Sequence, residues 1–176
     1  MKNILFTLAL LVSFSSFGQT SADNYMNSSN EKFKSKDLFG ALEDITSAIS
    51  AHVANPESDN LPLYYSKRAE IYIELKQLGK ALSDMDEAIL SGYLGFYSQR
   101  GFLNLELGNF YEAIGDFIHI LKEDPKNETG WCRASYRGSG IAKEQLGDLN
   151  GACEDWKKAA ELGDTDAAEW VANQCN

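Results

Sequence analysis

The chain has 176 residues, 44% hydrophobic, 11% aromatic and 24% charged, with three Pro and no long biased tract, which excludes disorder and collagen-like structure. A chain of this length buries roughly 70% of the surface its unfolded form exposes, so it needs neither a metal nor a dense disulfide framework to fold. Sixteen basic residues against 26 acidic ones give a net charge of −10. With no Lys/Arg cluster to form a basic stripe, that field disfavours nucleic acid and an anionic membrane surface as partners.

At the N-terminus, Met1-Lys2 supplies a positive charge, Ile4 to Val12 is an almost unbroken apolar run, and Ser13, Ser15, Ser16 and Gly18 form a small-residue exit. These are the three parts of a secretory signal peptide, so residues 1–18 are expected to be removed before Gln19. The run is too short to span a bilayer comfortably. No cysteine lies near it to take a lipid anchor, and no other segment is long and apolar enough to cross a membrane. The expected product is an exported protein, periplasmic or secreted, with 15 basic and 26 acidic residues and a net charge of −11.

The remaining residues, 19–176, read as one domain with an internal repeat. Ala41, Ala81, Ala113 and Ala152 anchor it. Four residues after each comes a large apolar side chain, Ile45, Met85, Phe117 or Trp156. Seven after come Ala48, Ala88, Ile120 and Ala159, and eight after come Ile49, Ile89, Leu121 and Ala160. Those offsets share one helical face, so each repeat ends in an amphipathic helix. Sixteen residues before each anchor stands Tyr25, Tyr65, Tyr97 or Tyr136, and twelve before stands Ser29, Ala69, Gly101 or Gly140, a small residue where another helix approaches closely. Gly40, Leu78-Gly79, Leu107-Gly108-Asn109 and Leu146-Gly147-Asp148 are assigned to the turns between the two helices. No stretch shows sustained strand alternation with hairpin turns.

With these residues in place the chain resembles the tetratricopeptide repeat family, most clearly over Tyr97 to Pro125 and again from Tyr136 to Ala159. Its ending, Trp156 to Ala168, is also similar to Sel-type repeats. The resemblance implies an all-α helix-turn-helix repeat solenoid, a right-handed superhelix of about four units (approximately 22–55, 62–93, 94–127 and 133–163) with a capping helix at 164–175 and Ala172 in its small-residue slot. The anchors are 40, 32 and 39 residues apart, which predicts longer loops at Ala51 to Leu61 and Lys126 to Trp131. The first unit departs furthest from the pattern, with Ser29 and Lys32 where the family often has a glycine or alanine and a second aromatic.

Chemical constellations are lacking. His52, placed in or near a loop, and His119 have no neighbouring ligand spacing, so no metal site is expected. The Gly138-Ser139-Gly140 stretch falls inside a helix and cradles no phosphate. Asp44, Asp84, Asp116 and Asp155 stand three residues after each anchor, and four copies read as a structural feature of every unit, not as a catalytic pair. No enzyme activity and no cofactor are expected.

In the repeat register Cys153 takes the position of Leu42, Leu82 and Ile114, and Cys175 that of Tyr72 on a helix packed against it. A Cys153–Cys175 disulfide is predicted, with Cys132 free; pairing through Cys132 stays open, since three cysteines allow three single bridges. The resemblance further implies a concave groove lined by the first helices: Met26, Asn30, Ser66, Glu70, Ser98, Phe102, Arg137 and Ile141, with Ile73, Glu74, Glu106 and Glu144 deeper. A mixture of apolar and acidic residues predicts an extended or helical peptide ligand carrying basic and apolar side chains. Asn27 and Asn30 are present, but the lysines that some relatives use to clamp a C-terminal carboxylate are not. The implied function is a non-enzymatic exported adaptor or scaffold that binds another protein. The alternative is a structural subunit of an envelope or secreted complex, assembled through the convex face or the stack ends.

Overall fold

The computed structural model describes residues 21–55 and 59–175; the expected signal peptide lies outside them. Among the described residues there are nine α-helices and no strand. They are α1 (residues 21–34), α2 (Leu38–Ala54), α3 (Leu61–Glu74), α4 (Leu78–Ala88), α5 (Leu94–Leu107), α6 (Phe110–Glu123), α7 (Cys132–Gln145), α8 (Leu149–Glu161) and α9 (Thr165–Gln174), with one 3₁₀ turn at Ile89–Ser91. They group into two compact units meeting in sequence at Leu90 and Ser91: α1 to α4 in the first, α5 to α9 in the second.

The anchor spacing is realised as packing. Ala41, Ala81, Ala113 and Ala152 are fully buried, as are the large residues four positions later and Ala48, Ala88, Ile120 and Ala159 seven later. The small-residue slot works by contact with the large residue of the same repeat. A Cβ on Gly101 would come within 2.7 Å of the Phe117 ring, and one on Gly140 within 2.4 Å of the Trp156 indole. In the first repeat Ser29 holds the slot and donates its hydroxyl to the Ala41 carbonyl at 2.8 Å, so its buried oxygen has a partner.

The turns correct the sequence reading. Gly40 and Leu78-Gly79 lie in the first turns of α2 and α4, not between helices. The residue with left-handed backbone stands five positions before each anchor: Lys36 (φ 65°), Lys76 (57°), Gly108 (77°) and Gly147 (83°). Glycine adopts that conformation at no steric cost, whereas the two lysines are held in it by the same Schellman-type closure, with Asp37 N bonded to Lys32 O and Gln77 N to Tyr72 O. Gly40 serves a different purpose. A Cβ there would fall 2.2 Å from Oδ2 of Asp37, whose carboxylate caps α2 by accepting from the Gly40 N–H at 3.0 Å.

The first inter-repeat loop is shorter than the anchor spacing suggests, whereas the one between α6 and α7 runs over 124–131 and starts two residues before the expected Lys126. Helix α2 runs on to Ala54, so Ala51 to Ala54 are helical, and His52 sits buried in the last turn of α2 with its ring edge-on to Tyr64 at 5.7 Å. The loop after α6 is organised by Asp124. Its carboxylate accepts from the backbone N–H groups of Glu128 and Thr129 and from the Thr129 hydroxyl, which holds it below the usual carboxylate range. The Cys132 thiol donates to the Asp124 carbonyl at 3.0 Å, and burial together with Asp124 pushes its pKa up.

The recurring aspartates bind their own repeat together. Each takes a cation from the first helix of its pair, from one of two successive turns. Arg68 reaches Asp84 through two bonds of 2.7 and 2.8 Å, and Arg100 reaches Asp116 at 2.6 and 3.1 Å. Lys32 reaches Asp44 at 2.7 Å, and Lys143 reaches Asp155 at 2.6 Å, each from one turn further along. The bond to Asp44 holds the Lys32 ammonium above the ordinary lysine range. Burial alone would raise the Asp44 pKa, but the bonds from Lys32 and Ser28 outweigh it and leave it lowered.

Helix α9 closes the second unit. Asp164 caps it by accepting from the Ala167 N–H, and Ala167 is buried against α8. Ala172, expected in a small-residue slot, is exposed, because that slot faces the second helix of a repeat and among the described residues none follows α9. Cys153 of α8 and Cys175 just past α9 form a disulfide with Cα atoms 5.6 Å apart, while Cys132 is a buried free thiol. Because the bridge closes a loop over a separation of 22 residues, its loss in a Cys153→Ser, Cys175→Ser variant is expected to lower stability by about 3 kcal/mol in the chain-entropy model. Urea unfolding of both proteins under non-reducing conditions measures it; equal midpoints would show that the bridge adds nothing to the packing of α9.

Candidate functional site

The residues assigned to the groove fall on the first helices of the repeats, and each unit presents its own set. In the first unit α1 and α3 lie side by side, joined by the Tyr64 hydroxyl donating to Asp23 at 2.9 Å and by Lys67, which lies 3.9 Å from the centre of the Phe33 ring. Met26, Asn30, Ser66 and Ile73 are half-buried here, and Glu70 and Glu74 are exposed. Both acids have neighbours: Lys67 pairs with Glu70 at 2.8 Å and Lys36 with Glu74 at 3.5 Å. The acid of each pair is exposed, and such pairs contribute little to stability.

In the second unit the face is built from α5 and α7, with the start of α9 beside it. Phe102 is half-buried, edge-on to Phe117 at 5.1 Å, and the Arg137 guanidinium lies 5.8 Å from its ring centre. Arg137 also reaches Asp164 at 3.5 Å and Asp166 at 3.7 Å, so it ties α7 to the α8–α9 turn. Ile141 is half-buried one turn beyond Arg137. Glu106 is exposed and Glu144 half-buried, and neither has an ion-pair partner among the described residues. Ser98 is buried and presents no side chain to solvent. The sequence reading missed the role of Asp164 and Asp166 beside Arg137; the recurrence of a Leu-Gly-Asp turn at 162–164, matching that at 146–148, was the available signal.

No group of three or more His, Cys, Asp or Glu is arranged to hold a metal among the described residues, and no helix there is long and apolar enough to cross a membrane. His119 stacks at 4.1 Å on Tyr97. What these faces present is apolar patches, acids and an arginine paired with Asp164 and Asp166.

These features are those of the tetratricopeptide repeat. The chain superposes on YrrB, described as a tetratricopeptide repeat protein with an unusual peptide-binding site, with a TM-score of 0.70 at 17% identity, covering 97% of this chain and 88% of that one. The fold is the tetratricopeptide repeat fold. The first such domain of Spaghetti (RPAP3), bound to the HSP90 peptide SRMEEVD, matches with a TM-score of 0.60 at 24% identity over 73% of this chain and 95% of that one. In sequence, serine/threonine-protein phosphatase T of Aspergillus oryzae is 27% identical over 143 residues, which is 79% of this chain but 26% of the phosphatase. The chain thus spans about a quarter of that relative. No protein-family model matches it.

Proposed function

We propose that this protein is an exported, non-enzymatic interaction module that holds a peptide or helix of another protein against the first-helix face. The observation that carries the reading is the second unit's surface, where half-buried Phe102 and Ile141 lie among acids, Glu106 and Glu144, that have no counter-charge. A ligand with apolar anchors and basic residues complements such a surface. An acidic tail such as the SRMEEVD peptide of the RPAP3 complex would meet Glu106 and Glu144, and this chain has no lysines to clamp it. Export is supported by the N-terminal charge and apolar run and by the disulfide, a bond that persists in oxidising compartments.

The geometry also decides which variants test this cleanly. Arg137→Glu would set a third acid beside Asp164 and Asp166 and so disturb α9. Glu106→Lys with Glu144→Lys instead reverses two unpaired charges. Affinity capture from the native host's envelope fraction, read by mass spectrometry, is expected to recover a partner with the wild type and about tenfold less or none with the double variant at an unchanged melting temperature. Equal recovery by both would assign the interaction to the convex face or the stack ends and make the protein a structural subunit.

A further inference from the structure

Helix α6 has an outward face unlike that of α8. At positions two before and two, five and nine after the anchor alanine, α6 carries Tyr111, Gly115, Ile118 and Lys122 where α8 carries Asn150, Glu154, Lys157 and Glu161. These positions form one stripe along a helix. Tyr111 is 75% and Ile118 52% exposed. A Cβ added to Gly115 would meet nothing within 4 Å, so no packing inside the unit requires glycine there, although glycine in mid-helix weakens the helix relative to alanine. With Tyr111 and Ile118 exposed on either side, Gly115 leaves the backbone open to close approach from outside the chain. Glu112 and Lys122, at the two ends of α6, also have no ion-pair partner among the described residues.

We propose that this stripe pairs α6 with α6 of a second copy, antiparallel about a two-fold axis. The stripe is complementary to itself. With the axis midway between Asp116 and Phe117, Ile118 of each copy lies over Gly115 of the other, and Lys122 of each lies over the Tyr111 ring of the other with Glu112 beside it. Both contacts form twice, as a two-fold interface demands. The ammonium over a tyrosine face and next to a carboxylate is favourable on both counts. A single helix pair buries less than the roughly 1,200 Å² of a stable interface, so the dimer is weak and depends on concentration.

Sedimentation equilibrium of the purified protein over a wide concentration range tests the pairing. The weight-average mass is expected to climb from one toward two protomer masses. Ile118→Lys and Gly115→Gln are each expected to weaken association at least about tenfold; Gly115→Gln does so while leaving α6 no less stable, which separates loss of contact from loss of fold. Lys122→Glu is expected to weaken the dimer by repulsion from Glu112 of the other copy, and adding Glu112→Lys to restore it. A monomer at every concentration, an association insensitive to Ile118→Lys and Gly115→Gln, or a charge swap that fails to restore pairing would each overturn the proposal. So would a monomer that uses the same stripe to hold a different helical protein.

Discussion

Replacing Arg68 with methionine is expected to lower the unfolding free energy by about 3–5 kcal/mol. Asp84, the carboxylate it serves, is buried, and both of its oxygens accept from the guanidinium, at 2.8 and 2.7 Å. The same bond holds the Arg68 guanidinium above its ordinary range, and the group lies 5.6 and 6.0 Å from the rings of Tyr65 and Tyr72. Methionine keeps much of the volume but abandons a carboxylate whose side chain is only 7% exposed. Removing both members is a different experiment. An Arg68→Met, Asp84→Leu variant leaves no orphaned charge and is expected to regain most of the loss, because well-packed apolar pairs replace buried ion pairs at little net cost. Urea unfolding followed by circular dichroism distinguishes the two cases. A single variant as stable as the wild type would mean that Asp84 finds water or another donor, and that the repeated aspartate is not a structural tie.

How far these ties were readable shows where sequence reasoning stops. The offsets of zero, four and seven from each alanine translate directly into burial, because an α-helix places those residues on one face whatever surrounds it. The aspartate three residues on was legible as a structural feature for the same reason. Its partners were not, since the cation comes from either of two successive turns: Arg68 and Arg100 from one, Lys32 and Lys143 from the next. Long side chains cover that difference, so no fixed spacing marks the pair. The turns misled in another way. Glycine marks the helix end only in the last two repeats: the left-handed position is set by distance from the anchor, and Lys36 and Lys76 fill it in the first two. At the candidate surface the pattern of first-helix residues was legible, but the burial of Ser98 and the acids around Arg137 were not. Those depend on neighbouring segments that a single-helix register does not describe.

Ala113→Asp is expected to be the most damaging single change in the second unit. Ala113 is fully buried in a cluster with Phe117 and Ala142, against which Phe102, Leu105, Phe110 and Ile114 pack. Its neighbours there are apolar, and Arg100, the arginine of this repeat, is already engaged by Asp116. A carboxylate there is either ionised without a partner or protonated without adequate hydrogen bonds, at a cost on the order of 4 kcal/mol. In a chain of this size that lowers the melting temperature by roughly 10 °C. Because each helix pair is stabilised mainly by its neighbours, the loss extends from α6 to the faces of α5 and α7 that it covers. Ala113→Gly separates burial of charge from helix propensity, since it is expected to cost only about 1 kcal/mol. All three tryptophans, Trp131, Trp156 and Trp170, belong to the second unit, so their fluorescence reports it selectively while circular dichroism reports both units. The fluorescence transition is therefore expected to move to lower temperature further than the dichroism transition does. If Ala113→Asp melted like the wild type by both probes, Ala113 would not lie where helices meet, and the repeat register built on it would fall with it.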